Sequence, residues 1–205
     1  MRNKFDRQLQ ILEEQLIHMG ELCESAIANA TKALSDGSIE QAKAVINADA
    51  EIDEMEKDIE KLCLKLLLQP VAKDLRRISA ALKMITDMER IGDQTADIAE
   101  IVISANTEES VDIKDIGRMA SVVSKMVRDS VTSYVQKDLE LARKVMDADD
   151  EMVNYIAINK GQRGSRIVDL IMVTKYLERI GDHATNIAEW VEFSITGVHR
   201  NGVNV

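Results

Sequence analysis

Apolar residues recur at alternating intervals of three and four from Leu9 through Leu12, Leu16, Met19, Cys23, Ile27 and Ala30 to Leu34. That spacing predicts an amphipathic helix closed by the stretch SDGS. Ser38 is placed to cap a second helix, with Gln41 three residues later as in a capping box. Ala42, Val45, Ile52, Met55, Ile59, Leu62 and Leu66 carry the pattern on. Gln69-Pro70 stops it, because proline lacks an amide donor and disfavours helical geometry in the residue before it. A third helix is expected from Asp74 to Ser104, and the polar stretch NTEESVD at 106–112 reads as a linker.

The plan then repeats. Helices are expected over 115–136, 139–159 and 166–196, separated by a short break at Lys137-Asp138 and by the loop KGQRGS. SIEQAKAVINAD at 38–49 lines up with DLELARKVMDAD at 138–149, and ERIGDQTADIAE at 89–100 with ERIGDHATNIAE at 178–189. The last pair shares eight of twelve residues, so the chain is read as a duplication. Long helices joined by short connections lie antiparallel, which makes the expected fold all-α: two tandem, pseudo-symmetric three-helix bundles, over 1–105 and 112–205. The halves are unequal. Asp49 and Glu89 are 40 residues apart but the aligned Asp149 and Glu178 only 29, so the second half is shorter by 11 at its second hairpin.

Composition agrees with helices. Hydrophobic residues are 45% of the chain and aromatics 3%, so Leu, Ile, Val, Met and Ala must build the core; one proline and nine glycines are too few for closely spaced strand turns. The net charge of −10 and the absence of a Lys/Arg-rich stripe argue against nucleic acid. Neither a signal peptide nor a membrane span is legible, and a cytoplasmic location is expected. Cys23 and Cys63 sit alone in helical patterns and read as core residues; Met84, Met88, Met119, Met126 and Trp190 are read as core or interface. No nucleophile motif or phosphate-loop spacing is present.

The repeated stretch carries the candidate chemistry. At about 100° per residue, Glu89, Asp93, Asp97 and Glu100 fall within roughly 80° of arc, one acidic stripe at the edge of the apolar face. Glu178, Asp182, Asn186 and Glu189 take the same positions in the second copy, with one carboxylate replaced by an amide. An ordinary solvated face is the plain reading. Against it, acids four apart repel by roughly 0.2–0.5 kcal/mol per pair. Gly92 and Gly181 also cost about 1 kcal/mol each relative to alanine, which implies a close neighbour. Stacked carboxylates suit hard divalent cations, with Asp49, Asp53, Glu24 and Asp129 as further candidate ligands. His183 projects away from Asp182 and has no counterpart in the first copy, so the Glu-x-x-His signature of di-iron bundles is missing.

The doubled Glu-Arg-Ile-Gly-Asp motif, the run DHATNIAE at 182–189, the opening FDRQLQILEEQLIHMGELCESAIANA and the paired Ala-x-x-Val-x-x-x-Asp segments together resemble the PhoU family over nearly the whole chain. The resemblance implies a cytoplasmic, homodimeric, non-enzymatic negative regulator of phosphate uptake and of the phosphate-starvation response, linking a phosphate ABC transporter to a sensor histidine kinase. It further implies a multinuclear metal site, of iron or another hard divalent cation, on Glu89, Asp93, Glu178 and Asp182, with Asp97 and Asn186 as additions. Val153 stands where the first half has Asp53 and the family often has an acid. The acidic stripes alone would also suit a carboxylate-bridged metal enzyme or a metal-storage bundle.

Overall fold

The computed structural model describes residues 2–69, 74–105, 113–152 and 164–198. Six helices follow in chain order: α1 (Arg2–Asp36), α2 (Ile39–Leu67), α3 (Leu75–Ala105), α4 (Lys114–Gln136), α5 (Leu139–Met152) and α6 (Gly164–Thr196). The described ends lie within a residue or two of the expected ones, apart from the start of α1, which lies seven residues before Leu9, the first apolar position of its pattern; one loop reading is also corrected. Gly164 and Ser165, read as loop, belong to α6, where amides of a first turn need no partner within the helix and small residues are tolerated. The expected stop at Pro70, the linker, the remainder of KGQRGS, the end of the fifth helix and Val153 lie outside the described residues.

The first connection of each half is built on the same plan with different residues. Gly37 has a φ of 64°, and Ser38 then donates its N–H to Ala33 O at 3.0 Å while its hydroxyl accepts from the Gln41 amide at 3.3 Å. Only half of the expected capping box forms. The Ser38 amide already has its partner, and Gln41 Oε1 is left buried without one. In the second copy Lys137 adopts a φ of 55°, Asp138 donates its N–H to Ser133 O at 2.9 Å, and Asp138 Oδ1 accepts from the Leu141 amide at 3.0 Å. A lysine thus holds a left-handed position that the first copy assigns to glycine.

Helix α1 packs on α2 and α3, and α6 on α4 and α5, giving the two three-helix bundles. They join along α3 with α6 and α1 with α4, which leaves α2 and α5 outermost. One continuous apolar core runs through both, from Phe5 and Leu12 to Ile187 and Val191. It includes Cys23, Cys63 and the four methionines named above. Trp190 is an interface residue, edge-on to Phe193 with ring centroids 5.9 Å apart and 6.0 Å from Lys83 Nζ on α3.

The duplicated helices run antiparallel. Arg76 meets Gly197, Lys83 meets Trp190, Asp87 meets Asn186 and Asp97 feels Arg179, so ascent along α3 is descent along α6. This register places the two Glu-Arg-Ile-Gly-Asp motifs beside one another at the middle of the joint. At one end of the joint, Tyr134 of α4 is fully buried and donates its hydroxyl to Arg77 O of α3 at 2.9 Å; the Arg77 guanidinium covers its ring and pairs with Glu13 of α1.

Lys137→Gly should raise stability by about 0.5–1 kcal/mol, since relief of the left-handed penalty exceeds the entropy that glycine adds to the unfolded chain. Denaturant melts of the two proteins check it.

Candidate functional site

On α3 the stripe stands at the margin of the core: Glu89 and Asp97 are half-buried, Asp93 and Glu100 exposed. The structure adds the wall that helical spacing alone could not place. Helix α2 brings Asp49 and Asp53 against this face, with Glu56 beyond them, where it accepts from Thr86 Oγ1 at 3.3 Å. Two of the four further candidates, Asp49 and Asp53, therefore lie beside the stripe. The other two are engaged elsewhere: Glu24 accepts from Arg128 Nε at 2.9 Å across α1 and α4, and Asp129 pairs with Lys125.

Gly92 explains how α2 comes so close. A Cβ there would lie 2.5 Å from Asp49 Oδ1 and 3.1 Å from a methyl of Ile52. The mid-helix glycine makes room for a neighbouring helix, and the group resting on it is a carboxylate. Asp49 Oδ1 is sealed from solvent and has no hydrogen-bond partner. A buried acceptor left unpaired is costly, the more so as part of an anion. Burial, and then Asp93, Asp53 and Asp97, push the Asp49 carboxyl up to about 6. Glu89 is raised by burial and by Asp93, Glu56 and Asp53 against the pull of Arg90; Asp97 is raised by burial, Glu100 and Asp93 against Arg179.

The second copy has a different electrostatic character. Glu178 is half-buried and paired with Lys175 at 2.5 Å, while Asp182 and Asn186 are exposed. Burial and Glu178 raise Asp182, but His183, Lys175 and Arg179 all oppose them. Asn186 turns to the joint and donates Nδ2–H to Asp87 Oδ1 at 3.3 Å. His183, expected to point away from Asp182, does so: its Nδ1 lies 2.9 Å from the same oxygen. Asp87 is buried, with the Arg90 guanidinium at 3.9 Å.

Asp87 is the residue that sequence reasoning missed. Its partners lie 96 and 99 residues away, and the aligned residue of the second copy is Tyr176, so neither spacing nor repetition marks it.

The α2 and α3 face offers what a hard cation requires: several oxygen donors, mutual repulsion to be neutralised and one sealed, unpaired carboxylate oxygen. As the side chains stand, no three His, Cys, Asp or Glu residues among those described converge closely enough to hold an ion. Coordination would need rotation about the side-chain torsions of Asp49, Asp53, Glu89 or Asp93.

The PhoU domain model matches this chain twice, over residues 16–102 and 116–191. The chain belongs to the PhoU family. A Clostridium acetobutylicum protein described as a phosphate-specific transport system accessory protein PhoU homolog is 36% identical, the match covering 96% of each chain. One of the same description from Aquifex aeolicus is 38% identical over 86% of each. Among solved structures, the phosphate transport system regulatory protein PhoU from Streptococcus pneumoniae superposes with a TM-score of 0.86 at 25% identity, over 95% of this chain and 98% of that one. PhoU from Pseudomonas aeruginosa gives 0.82 at 32%, over 95% and 100%. The antiparallel bundle pair described above is thus the architecture of this family.

The raised carboxyls set a pH dependence with a definite sign. Between its ordinary value of 3.8 and about 6, Asp49 holds its proton in the folded state and has lost it in the unfolded one, so stability falls as pH rises through that window. In chelator, Asp49→Asn should melt at a higher temperature than the wild type at pH 7 and lose part of the decline between pH 4 and 6; thermal scans across pH test this.

Proposed function

We propose that this PhoU-family chain is a regulatory accessory of phosphate import, acting by docking. The observation that carries the reading is the match along both halves to proteins named as phosphate transport accessory and regulatory proteins, with nearly complete coverage in each direction. Such a role needs presented surface, which two helical bundles joined along α3 and α6 can offer. No helix among the described residues is long and apolar enough to cross a membrane. Association with a transporter would therefore be peripheral for this portion of the chain.

In this reading the chain acts in the cytoplasm as a negative regulator. It contacts the phosphate ABC transporter and a sensor histidine kinase, and it pairs with a second copy of itself. It is a regulator rather than an enzyme, in keeping with the relatives' descriptions. A hard divalent cation, iron included, would be held by Glu89, Asp93 and Asp97 with Asp49 and Asp53, and by Glu178 and Asp182 on the other helix. Bound there, the cation supplies positive charge that offsets carboxylate repulsion. The chain's own part is to present the oxygens from two helices, so that occupancy fixes α2 against α3 and sets the charge of the face offered to partners.

Two measurements test this reading. A strain lacking the protein should express phosphate-responsive genes when phosphate is abundant; normal repression there sinks the regulatory role. Divalent metal should raise the melting temperature of the purified chain through linkage, and the double variant Asp93→Asn, Asp182→Asn should lose most of that rise. An undiminished rise would leave the stripes as ordinary surface charges.

A further inference from the structure

Beyond Glu56, lysines recur every four residues along the end of α2, at Lys57, Lys61 and Lys65. Leu64 and Leu68 stand among them, 51% and 87% exposed. At about 100° per residue these five fall within roughly 100° of arc, opposite the buried Ile59, Cys63 and Leu66. Asp58 and Glu60 are the acids of this stretch, and Asp58 is drawn to Lys61 at 2.8 Å with both side chains exposed. Lys57 and Lys65 form no ion pair among the described residues. Neighbouring helices extend the surface. Gln8 of α1 accepts from Gln69 Nε2 at 2.7 Å, which brings the first turns of α1 beside the end of α2; there Lys4, Arg7 and Ile11, three and four residues apart, are all exposed. Leu75, which opens α3, is 42% exposed.

We propose that this end of the first bundle rests directly on an anionic lipid bilayer, with Leu64 and Leu68 entering the headgroup boundary and the lysines around them holding lipid phosphates. The proposal deepens the docking reading above and rests on it for its setting, a chain that works beside a membrane transporter. Compensation of the helix dipole accounts for Lys65, in the last turn, and for neither leucine. A protein partner fits less well, because lysine is depleted from the buried centres of protein interfaces. Lysine beside exposed leucine suits a bilayer, since its apolar stem follows the hydrocarbon while the ammonium stays among the headgroups. Attraction to anionic lipid acts within about a Debye length of the surface, so a local basic patch is held even on a chain of net charge −10.

The test sediments the purified full-length chain with vesicles of phosphatidylcholine, alone or in equal parts with phosphatidylglycerol, and checks the fold of each variant by circular dichroism. Binding to the mixed vesicles, and not to phosphatidylcholine alone, is expected. The double variant Lys61→Gln, Lys65→Gln should weaken it at least about tenfold, and so should Leu64→Ser, Leu68→Ser. Lys32→Gln, Lys43→Gln removes the same charge from exposed positions at the other end of the bundle and should bind as the wild type does. Equal weakening by the two lysine pairs overturns the assignment of the patch. No binding to the mixed vesicles overturns the lipid contact; if the patch variants then lose repression of phosphate-responsive genes in abundant phosphate, the surface meets a protein instead. Patch-dependent vesicle binding with normal repression in a strain lacking the protein upholds the lipid contact and removes the regulatory reading.

Discussion

Two copies of one helix, packed antiparallel along the centre of the molecule, form the contact from which the rest of the structure follows. Because α3 and α6 descend from the same segment and run in opposite directions, their matching motifs meet at mid-length and the bundles are related by an approximate two-fold. The apolar faces of these helices must serve two neighbours, the partner bundle and the helices of their own. Small and flexible core residues suit that demand: Ala80, Ala81, Met84, Met88 and Ala99 are all buried on α3. Polar contacts then fix the register, Asp87 with His183 and Asn186 near the middle, Tyr134 with Arg77 toward one end.

Electrostatics work against this packing at one place. The approach of α2 to Gly92 lodges a carboxylate at a helix backbone among other acids, where burial and like charge both oppose ionisation. Nothing in forming the core requires an acid there, since Asn would match its shape without the charge. That cost to stability at neutral pH is what motivates the metal reading proposed above. The joint between the bundles shows the opposite treatment of a buried acid, for Asp87 has two donors within bonding distance and a guanidinium nearby.

Much of this was legible from residue order. Six helices, their boundaries and the two bundles follow from an apolar period that persists over long stretches and from repeated segments that confirm one another. The same geometry put Glu89, Asp93, Asp97 and Glu100 on one face and turned His183 from Asp182. What was not legible depended on contacts between helices. The positions of Asp49 and Asp53, the removal of Glu24 and Asp129 into ion pairs, and the engagement of Asn186 depend on which faces of separate helices meet. Gly92 illustrates the divide: its cost within a helix signalled a close neighbour, but only packing identified that neighbour as Asp49.

The sequence by itself therefore determined the helices, the duplication, the twin acidic stripes and, through its resemblance, the family. Each of these is written in local periodicity or in direct repetition, and neither needs knowledge of a distant partner. Tertiary structure alone decided that the stripes differ in their surroundings, that Asp87 is a buried anchor across the joint, and that a carboxylate rests on Gly92. Charge and burial at a point depend on every element that converges there, and residues separated by 30 to 100 positions come together only when the bundles close.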